Sequence, residues 1–133
     1  MKNVEIISLQ LRTDNRGWVA WPLEETLLKN GALSNLHVPS LRPGAIRGNH
    51  YHLNSTEHVL VLSGPCTAMF VDNETGEELL IPIPENEPTL FKIMPNTTHA
   101  FRNDGRYDIY LICCDQPSNT SARPDVHRAA ILV

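Results

Sequence analysis

The stretch His-Tyr-His-Leu-Asn-Ser-Thr-Glu, residues 50–57, says most about how this chain folds and what chemistry it carries. Two histidines at positions i and i+2 of a strand point to the same face, so His50 and His52 would stand side by side. Glu57 follows after a short turn and can join them. Three nitrogen and oxygen ligands that converge in this way suit a divalent metal such as Zn, Fe, Mn or Ni. The stretch therefore predicts a divalent metal site.

The residues between His52 and Glu57 include turn-forming Asn and Ser. Glu57 lies five positions after His52, an odd offset that would place it on the opposite face of a continuous strand. We therefore expect the chain to reverse over residues 53–56, with Glu57 opening an antiparallel neighbour of the histidine strand. On that geometry Glu57 and Val59 face the site, whereas His58 faces away in a structural or interface role.

Composition indicates one globular domain in 133 residues, with 41% hydrophobic and 20% charged residues. A net charge of -4 without a Lys/Arg cluster argues against nucleic acid or a membrane as partner, and favours a small molecule. No stretch approaches the roughly 18 apolar residues of a membrane span. The N-terminus lacks the apolar region of a secretory signal, so a cytoplasmic location is expected, with Cys66, Cys113 and Cys114 as free thiols.

Short strands dominate the pattern, because runs of β-branched and aromatic residues alternate with turn residues. The predicted strands cover residues 4–11, 18–21, 33–41, 45–52, 58–63, 67–72, 77–83, 89–93, 99–103 and 107–114. Residues 72–76 and 103–105 are predicted hairpin turns. Residues 23–30, which lie between a proline and a glycine, form the one predicted helix. Together these features indicate an all-β barrel or sandwich with one short helix.

The C-terminal part of the sequence is predicted to form a loop followed by an apolar tail. Residues 115–125 are rich in Pro, Ser, Asn and Thr, which predicts a loop. Residues 126–133 end in an apolar run. Since an exposed apolar end is unfavourable, this tail is expected to pack on its own barrel or on a second subunit.

The spacing of the site residues resembles the two sequence motifs of the cupin family. The pattern G-x5-H-x-H-x4-E-x6-G is met in full by Gly44, His50, His52, Glu57 and Gly64. The second pattern, G-x5-P-x-G-x2-H-x3-N, is met at its last two positions by His99 and Asn103, and its three earlier positions are occupied instead by Pro88, Met94 and Asn96. The last change is mild, because Asn is the residue that best replaces Gly at positive φ.

This resemblance implies that residues 1–133 form a single cupin domain, a double-stranded β-helix of jelly-roll type. It also implies a divalent metal held by His50, His52, Glu57 and His99 in the mouth of the barrel. The alternative is that the histidines line a polar barrel interior without metal and act as acid/base groups.

A narrower resemblance concerns the substrate. Residues 47–52, Arg-Gly-Asn-His-Tyr-His, preceded by Pro-Gly, are similar to cupins of cell-surface polysaccharide synthesis. The resemblance extends to the C-terminal cupin domain of capsular polysaccharide reductases, a zinc-dependent epimerase of a 4-keto sugar. Residues 14–18, Asp-Asn-Arg-Gly-Trp, resemble the D-x-R-G start of several nucleotide-sugar epimerases and isomerases. These similarities imply a sugar-nucleotide substrate.

Three functions stay open: a metal-dependent epimerase or isomerase of activated sugars, an iron-dependent dioxygenase, and a non-catalytic sugar or metabolite sensor. The first is favoured. For it, His37 is the first choice of catalytic base, with Tyr51 as a further catalytic candidate. Arg47 and Arg16 are the candidates to pair with a diphosphate. The apolar C-terminus and the cupin resemblance together suggest a homodimer.

Overall fold

Strands make up most of the chain in the computed structural model, which describes residues 1–119 and 125–133. The strands are β1 (Val4–Ile7), β2 (Leu11–Asp14), β3 (Gly17–Ala20), β4 (Ser34–His37), β5 (Ser40–Leu41), β6 (Ile46–Tyr51), β7 (Ser55–Val61), β8 (Cys66–Asp72), β9 (Glu78–Ile83), β10 (Thr89–Ile93), β11 (Thr97–Asn103), β12 (Ile109–Pro117) and β13 (His127–Arg128). One helix, α1 (Glu25–Lys29), is shorter than predicted; Glu24 provides no side-chain cap and Gly31 follows with φ of 63°. The predicted all-β class with one short helix is confirmed.

Two antiparallel sheets enclose the core. One has the strand order β1-β10-β7-β12-β4, with β5 also paired to β12, and the other has the order β13-β6-β11-β8-β9. β2 and β3 form a separate two-stranded ribbon. Strands distant in sequence lie side by side in both sheets, which is the jelly-roll arrangement.

Aromatic rings hold the two sheets together. Phe70 and Phe101 come from one sheet and Phe91 from the other, and their ring centroids lie 5.2 to 6.1 Å apart. All three side chains are buried. Burial of a phenylalanine stabilises a fold by about 1.5–3 kcal/mol, so this cluster makes a large contribution to the stability of the core between the sheets.

The turn after His52 connects the two sheets, and this corrects the expected arrangement. β7 pairs with β10 and β12, whereas β6 pairs with β11 and β13. Glu57 therefore does not open a hairpin neighbour of the histidine strand. Both edges of β7 are already hydrogen-bonded, so the chain crosses to the opposite wall, from which Glu57 faces the histidines across the barrel.

The two predicted hairpin turns have different outcomes. The turn at residues 72–76 joins β8 and β9 in register, as predicted. The turn at residues 103–105 links β11 and β12, which belong to different sheets, so the predicted hairpin is wrong. Here the Asn103 side chain organises the crossing: it donates to the carbonyls of Leu41 (2.9 Å) and Tyr107 (2.7 Å) and accepts from the Gly105 N–H (2.9 Å).

The C-terminal part is more ordered than the sequence suggested. Asp115 to Pro117 continue β12 and pair with the start of β7, so the predicted loop begins later, and residues 120–124 of it lie outside the described part. The tail adds β13 to the edge of β6. The Asn49 side chain binds the main chain of Ile131 and Leu132, and Leu132 is buried. The tail thus packs on its own barrel, which was one of the two expected arrangements.

Two further observations concern the described residues. Their one helix spans five residues, and no helix among them is long and apolar enough to cross a membrane. All three cysteines are free, as expected from the sequence, and all three are buried.

Candidate metal centre and its cavity

Three histidines and one glutamate converge inside the barrel. His50 is the next-to-last residue of β6 and the cross-strand partner of His99 on β11. His52 follows just after β6. Glu57 approaches from β7 in the opposite sheet, and one ligand atom from each of the four residues lies within 4.8 Å of the others. Four donors bound at about 2.1 Å to a tetrahedral ion are about 3.4 Å apart, so small side-chain movements would suffice to hold a metal.

Backbone carbonyls orient two of the histidine rings. The Nδ1 atom of His52 contacts the carbonyl of Asp125, and the Nδ1 atom of His99 contacts the carbonyl of Thr97 at 3.1 Å. A carbonyl only accepts, so in each ring Nδ1 carries the hydrogen. In the neutral ring Nε2 then presents its lone pair. A hydrogen bond from Nδ1 to a backbone carbonyl is the usual outer contact of a metal-binding histidine.

The Nε2 atom of His99 gives a direct test of whether a metal fits. It is fully buried and makes no hydrogen bond of acceptable geometry, although Glu57 Oε2 lies 2.8 Å away. Buried polar atoms are almost always paired, because leaving one unpaired costs about 1–3 kcal/mol. A cation at the centre of the four ligands would pair with this atom. The donor set of three imidazoles and a carboxylate therefore fits a divalent transition metal.

The electrostatics of the group reflect burial and mutual contact. Burial raises the pKa of Glu57, but the contacts from His52 and His99 outweigh it and hold that pKa well below its usual range. Burial, together with the neighbouring His99, lowers the pKa of His50 to about 4. Burial also lowers the pKa of His52, but the hydrogen bonds to Glu57 and to the Asp125 carbonyl raise it to about 9. His50 is thus neutral and Glu57 ionised at physiological pH, as metal ligation requires, whereas His52 carries a proton in the metal-free site and must release it when an ion binds.

Backbone conformation explains several of the motif positions. A Cβ atom on Gly48 would lie 2.6 Å from the His99 carbonyl oxygen, and one on Gly64 would lie 2.0 Å from the Ile83 carbonyl oxygen. Asn96, at the position where the cupin motif has Gly, has φ of 60°. The expectation that Asn replaces Gly there at positive φ is confirmed.

Three of the four candidate ligands, His50, Glu57 and His99, line a cavity of 360 Å³. Apolar side chains form part of its wall, and two arginines, Arg47 from β6 and Arg128 from β13, line it as well. Arg47 donates from Nε to the Ser40 carbonyl at 2.7 Å. Neither guanidinium forms an ion pair with a carboxylate within residues 1–119 and 125–133. Both charges are therefore available to an anion in the cavity.

His37 also lines the cavity. It lies on the edge strand β4, where it is the cross-strand partner of Cys113 on β12. Its Nδ1 atom is 2.8 Å from the carbonyl of Asn35, so Nδ1 carries the hydrogen and Nε2 keeps its lone pair. A ligand atom of His37 lies within 4.8 Å of Cys113 and Glu57. The structure thus brings together the expected base and the expected metal ligands.

The remaining residues singled out in the sequence lie elsewhere. Tyr51 stacks on His127 with 5.0 Å between ring centroids and does not line the cavity. Arg16, at the tip of the β2–β3 ribbon, pairs with Asp14 at 2.6 Å and is exposed. Their catalytic and diphosphate-binding roles stay predictions. His58 is buried on the other side of β7 and lines a different cavity, as its position in the strand predicted.

Sequence analysis missed two cavity residues, Arg128 and Cys113. Arg128 lies in the C-terminal tail, which was interpreted only as an apolar segment. Arg128 is the cross-strand partner of His50 in the pairing of β13 with β6, and no local sequence pattern predicts that pairing. Cys113 was read only as a free thiol. Alternation along its strand implies that Cys113 and Cys114 face opposite sides, a signal that would have placed one of them in the barrel.

Comparison with known proteins gives the family. Residues 12–127 match the family model described as "Polysaccharide biosynthesis C-terminal domain". Over 105 residues the chain is 25% identical to the UDP-2-acetamido-2,6-beta-L-arabino-hexul-4-ose reductase of Pseudomonas aeruginosa, a match that covers 79% of this chain and 28% of that protein. The chain therefore corresponds to less than a third of this curated relative.

Solved structures share the fold. The capsular polysaccharide assembling protein CapF of Staphylococcus aureus superposes with a TM-score of 0.63 at 22% identity, over 94% of this chain and 33% of CapF. The dTDP-6-deoxy-D-glucose-3,5-epimerase RmlC of Legionella pneumophila, solved with dTDP-4-keto-L-rhamnose, superposes with a TM-score of 0.72 at 16% identity, over 88% of this chain and 68% of RmlC. The predicted cupin jelly roll is confirmed by these superpositions, and the chain belongs to the family of polysaccharide biosynthesis C-terminal domains.

Proposed function

We propose that this protein is a metal-dependent epimerase or isomerase of a nucleotide-activated keto sugar in polysaccharide synthesis. One observation carries the proposal: a single cavity is lined by His50, Glu57 and His99 of the four-residue cluster, by His37, and by two arginines that form no ion pair with any carboxylate of residues 1–119 and 125–133. Relatives named for sugar-nucleotide substrates support the substrate class.

The four ligands would hold a divalent ion such as Zn, Fe, Mn or Ni at the base of the cavity. When bound, such an ion supplies Lewis-acid chemistry that favours loss of a proton next to a carbonyl group. The protein residues must then bind the substrate, exclude water and move the proton.

His37 is suited to move that proton. Its Nδ1 hydrogen is held by the Asn35 carbonyl, so Nε2 has the lone pair that can accept a proton from a carbon atom. The imidazolium so formed returns a proton to the same carbon, and inversion results when the planar enolate turns in the cavity and presents its other face to His37. Because β4 is an edge strand, His37 is exposed and can exchange this proton with solvent.

Arg47 and Arg128 are suited to bind the diphosphate of the substrate. A guanidinium forms paired hydrogen bonds with phosphate oxygens, and these two lie on neighbouring strands, β6 and β13. The apolar part of the cavity wall, which includes Val59, Phe101 and Leu111, would contact the carbon face of the sugar and keep water from it.

Hydrogen exchange tests the proposed reaction. The metal-loaded protein is incubated in D2O with UDP-linked and dTDP-linked 4-keto sugars, and the sugars are analysed by mass spectrometry. We expect deuterium at a carbon next to the keto group, with exchange lost in His37→Gln and retained in the matched control His58→Gln, whose side chain lies outside the cavity. No exchange across the panel would refute the reaction, and oxygen consumption by iron-loaded protein would favour a dioxygenase instead.

We also propose a homodimer, formed through the β2–β3 ribbon and the neighbouring edge strand β1. A two-stranded ribbon is marginal in water unless something covers it. Here Val19 and Trp21, on one side of the ribbon, are exposed, as is Ile6 on β1. A second copy of the chain would cover these side chains. Light scattering should give the mass of two chains for the wild type and of one chain for Val19→Asp; a monomeric wild type would refute the dimer.

A further inference from the structure

A second group of metal-binding side chains lies beside the four ligands. His37, Cys113 and Glu57 each offer a ligand atom within 4.8 Å of the other two. We infer that these three residues form a second site, with a thiolate ligand, for a soft divalent cation such as zinc, cobalt or cadmium, and that this site shares Glu57 with the four-residue centre. The inference goes beyond the proposed function and rests on it only for occupancy of that first centre.

Strand geometry places the thiol in the cavity. Cys113 is the cross-strand partner of His37 on one side and of Val59 on the other, and all three residues line the cavity. Cys114 is the partner of His58, which lines a different cavity on the other face of the sheet. Of these two adjacent cysteines, only Cys113 faces the metal-binding group.

The donor atoms are suited to a soft cation. The hydrogen on Nδ1 of His37 is held by the Asn35 carbonyl, which leaves Nε2 as a ligand. Thiolate and imidazole together favour zinc-like ions over magnesium or calcium. An ion bound to the Cys113 sulfur displaces the thiol proton, which leaves as a hydrated proton, so the thiol becomes a thiolate ligand without any redox change.

Glu57 is placed to serve both sites. Its contacts with His52 (3.0 Å) and His99 (2.8 Å) both fall on Oε2. The other carboxylate oxygen, Oε1, is left for the second ion, and carboxylates bridge two ions about 3.5–4 Å apart in known two-metal sites. Repulsion from the first ion and from the two arginines weakens the second site. The second site therefore fills only when the cation is in excess. Because an ion there occupies His37, excess cation inhibits the proposed proton transfer.

Titration with cobalt tests this site. Metal-free protein is titrated with Co²⁺ and followed by ultraviolet and visible absorption, in which thiolate ligation gives an intense charge-transfer band in the near ultraviolet. We expect two ions per chain, with the band developing during the second equivalent. Cys113→Ser should lose the band and the second equivalent, whereas Cys114→Ser, the matched control, should keep both. His37→Gln should weaken the second site at least tenfold while leaving the first intact.

The outcomes separate this site from the proposed function. In His50→Ala the first equivalent should weaken while Cys113 still gives the band. A band that persists in Cys113→Ser, a band lost in Cys114→Ser with its fold intact by circular dichroism, or no band at any cobalt concentration would each overturn the second site. None of these results changes the deuterium exchange expected at low metal concentration, so the two proposals fail independently.

Discussion

The Asp125 side chain offers a test of how contacts outside the four-residue group support the candidate metal centre. Its carboxylate accepts hydrogen bonds from the backbone N–H groups of Leu53 (2.6 Å) and Asn54 (3.0 Å), and its own carbonyl contacts Nδ1 of His52. The side chain is only 15% exposed. Asp125 is thus a positioning residue, which fixes the carbonyl that orients His52.

Asp125→Ala removes both acceptors while leaving the four metal ligands in place. The two backbone hydrogen bonds to this partly buried carboxylate contribute about 2–3 kcal/mol together, and its contact with the partly exposed His127 adds little. Unfolding entropy of about 2.1 cal/mol/K per residue gives about 0.28 kcal/mol/K for 133 residues, so the melting temperature should fall by about 7–11 °C. The backbone carbonyl that orients His52 remains in Asp125→Ala but is no longer held in place, so zinc binding should also weaken, by up to about the 10–100-fold that loss of an outer contact causes.

Two assays measure these effects separately. Calorimetry in the presence of a chelator gives the loss of stability, and competition with a chromophoric chelator gives the change in zinc affinity. Asp125→Asn, which keeps one acceptor oxygen, should show about half the stability loss. Unchanged zinc affinity in Asp125→Ala would refute the positioning role, even if the protein were less stable.

The pH dependence of the same variant is a further check. Burial raises the pKa of Asp125, but the backbone hydrogen bonds from Leu53 and Asn54, together with His127, lower it overall. Since the folded-state pKa lies below the unfolded value of about 3.9, this group stabilises the fold fully above that pH. Its contribution is lost as the pH falls through the folded-state pKa. The stability difference between wild type and Asp125→Ala should therefore be constant near neutral pH and shrink in acid.

Three further expectations follow from the fold and the site. Chelator should lower the melting temperature of metal-loaded wild type by several degrees and leave His50→Ala unaffected; calorimetry with and without chelator checks this, and an equal response of both proteins would contradict it. Asn103→Ala, which loses three buried or partly buried hydrogen bonds, should lower the free energy of unfolding in urea by about 3 kcal/mol. A loss under 1 kcal/mol would contradict the role of Asn103 in the link between β11 and β12. Arg128→Gln should weaken UDP binding about tenfold in calorimetric titration without altering zinc affinity, whereas unchanged UDP binding would remove Arg128 from the anion site.

Local patterns in the sequence were reliable wherever alternation within one strand decided the outcome. His50 and His52 both reach the group around Glu57, as alternation predicted, although His52 lies one residue beyond the end of β6. The same rule turned His58 away from the site. Asn96 adopts positive φ because its own short side chain tolerates that conformation. Each of these results depends on a few neighbouring residues, so no knowledge of the rest of the chain was needed.

Local sequence patterns did not predict which distant strands pair with each other. The sequence placed Glu57 near the histidines through its motif spacing, but by way of a hairpin that does not form. Which sheet β7 joins depends on β10 and β12, which lie about 30 and 50 residues further along the chain. A turn sequence alone does not distinguish a hairpin from a crossing between sheets, because both need a reversal and only competition among all the strands selects one.

The sequence by itself determined the fold class, and it predicted a set of metal ligands and a class of substrate that experiments can test. The tertiary structure decided what else shares the cavity: His37 beside Cys113, and Arg128 beside His50. The physical reason is that the direction of a side chain is set by its own strand, whereas its neighbours are set by hydrogen-bonded ladders between distant segments. Those ladders form only when the whole chain buries its core.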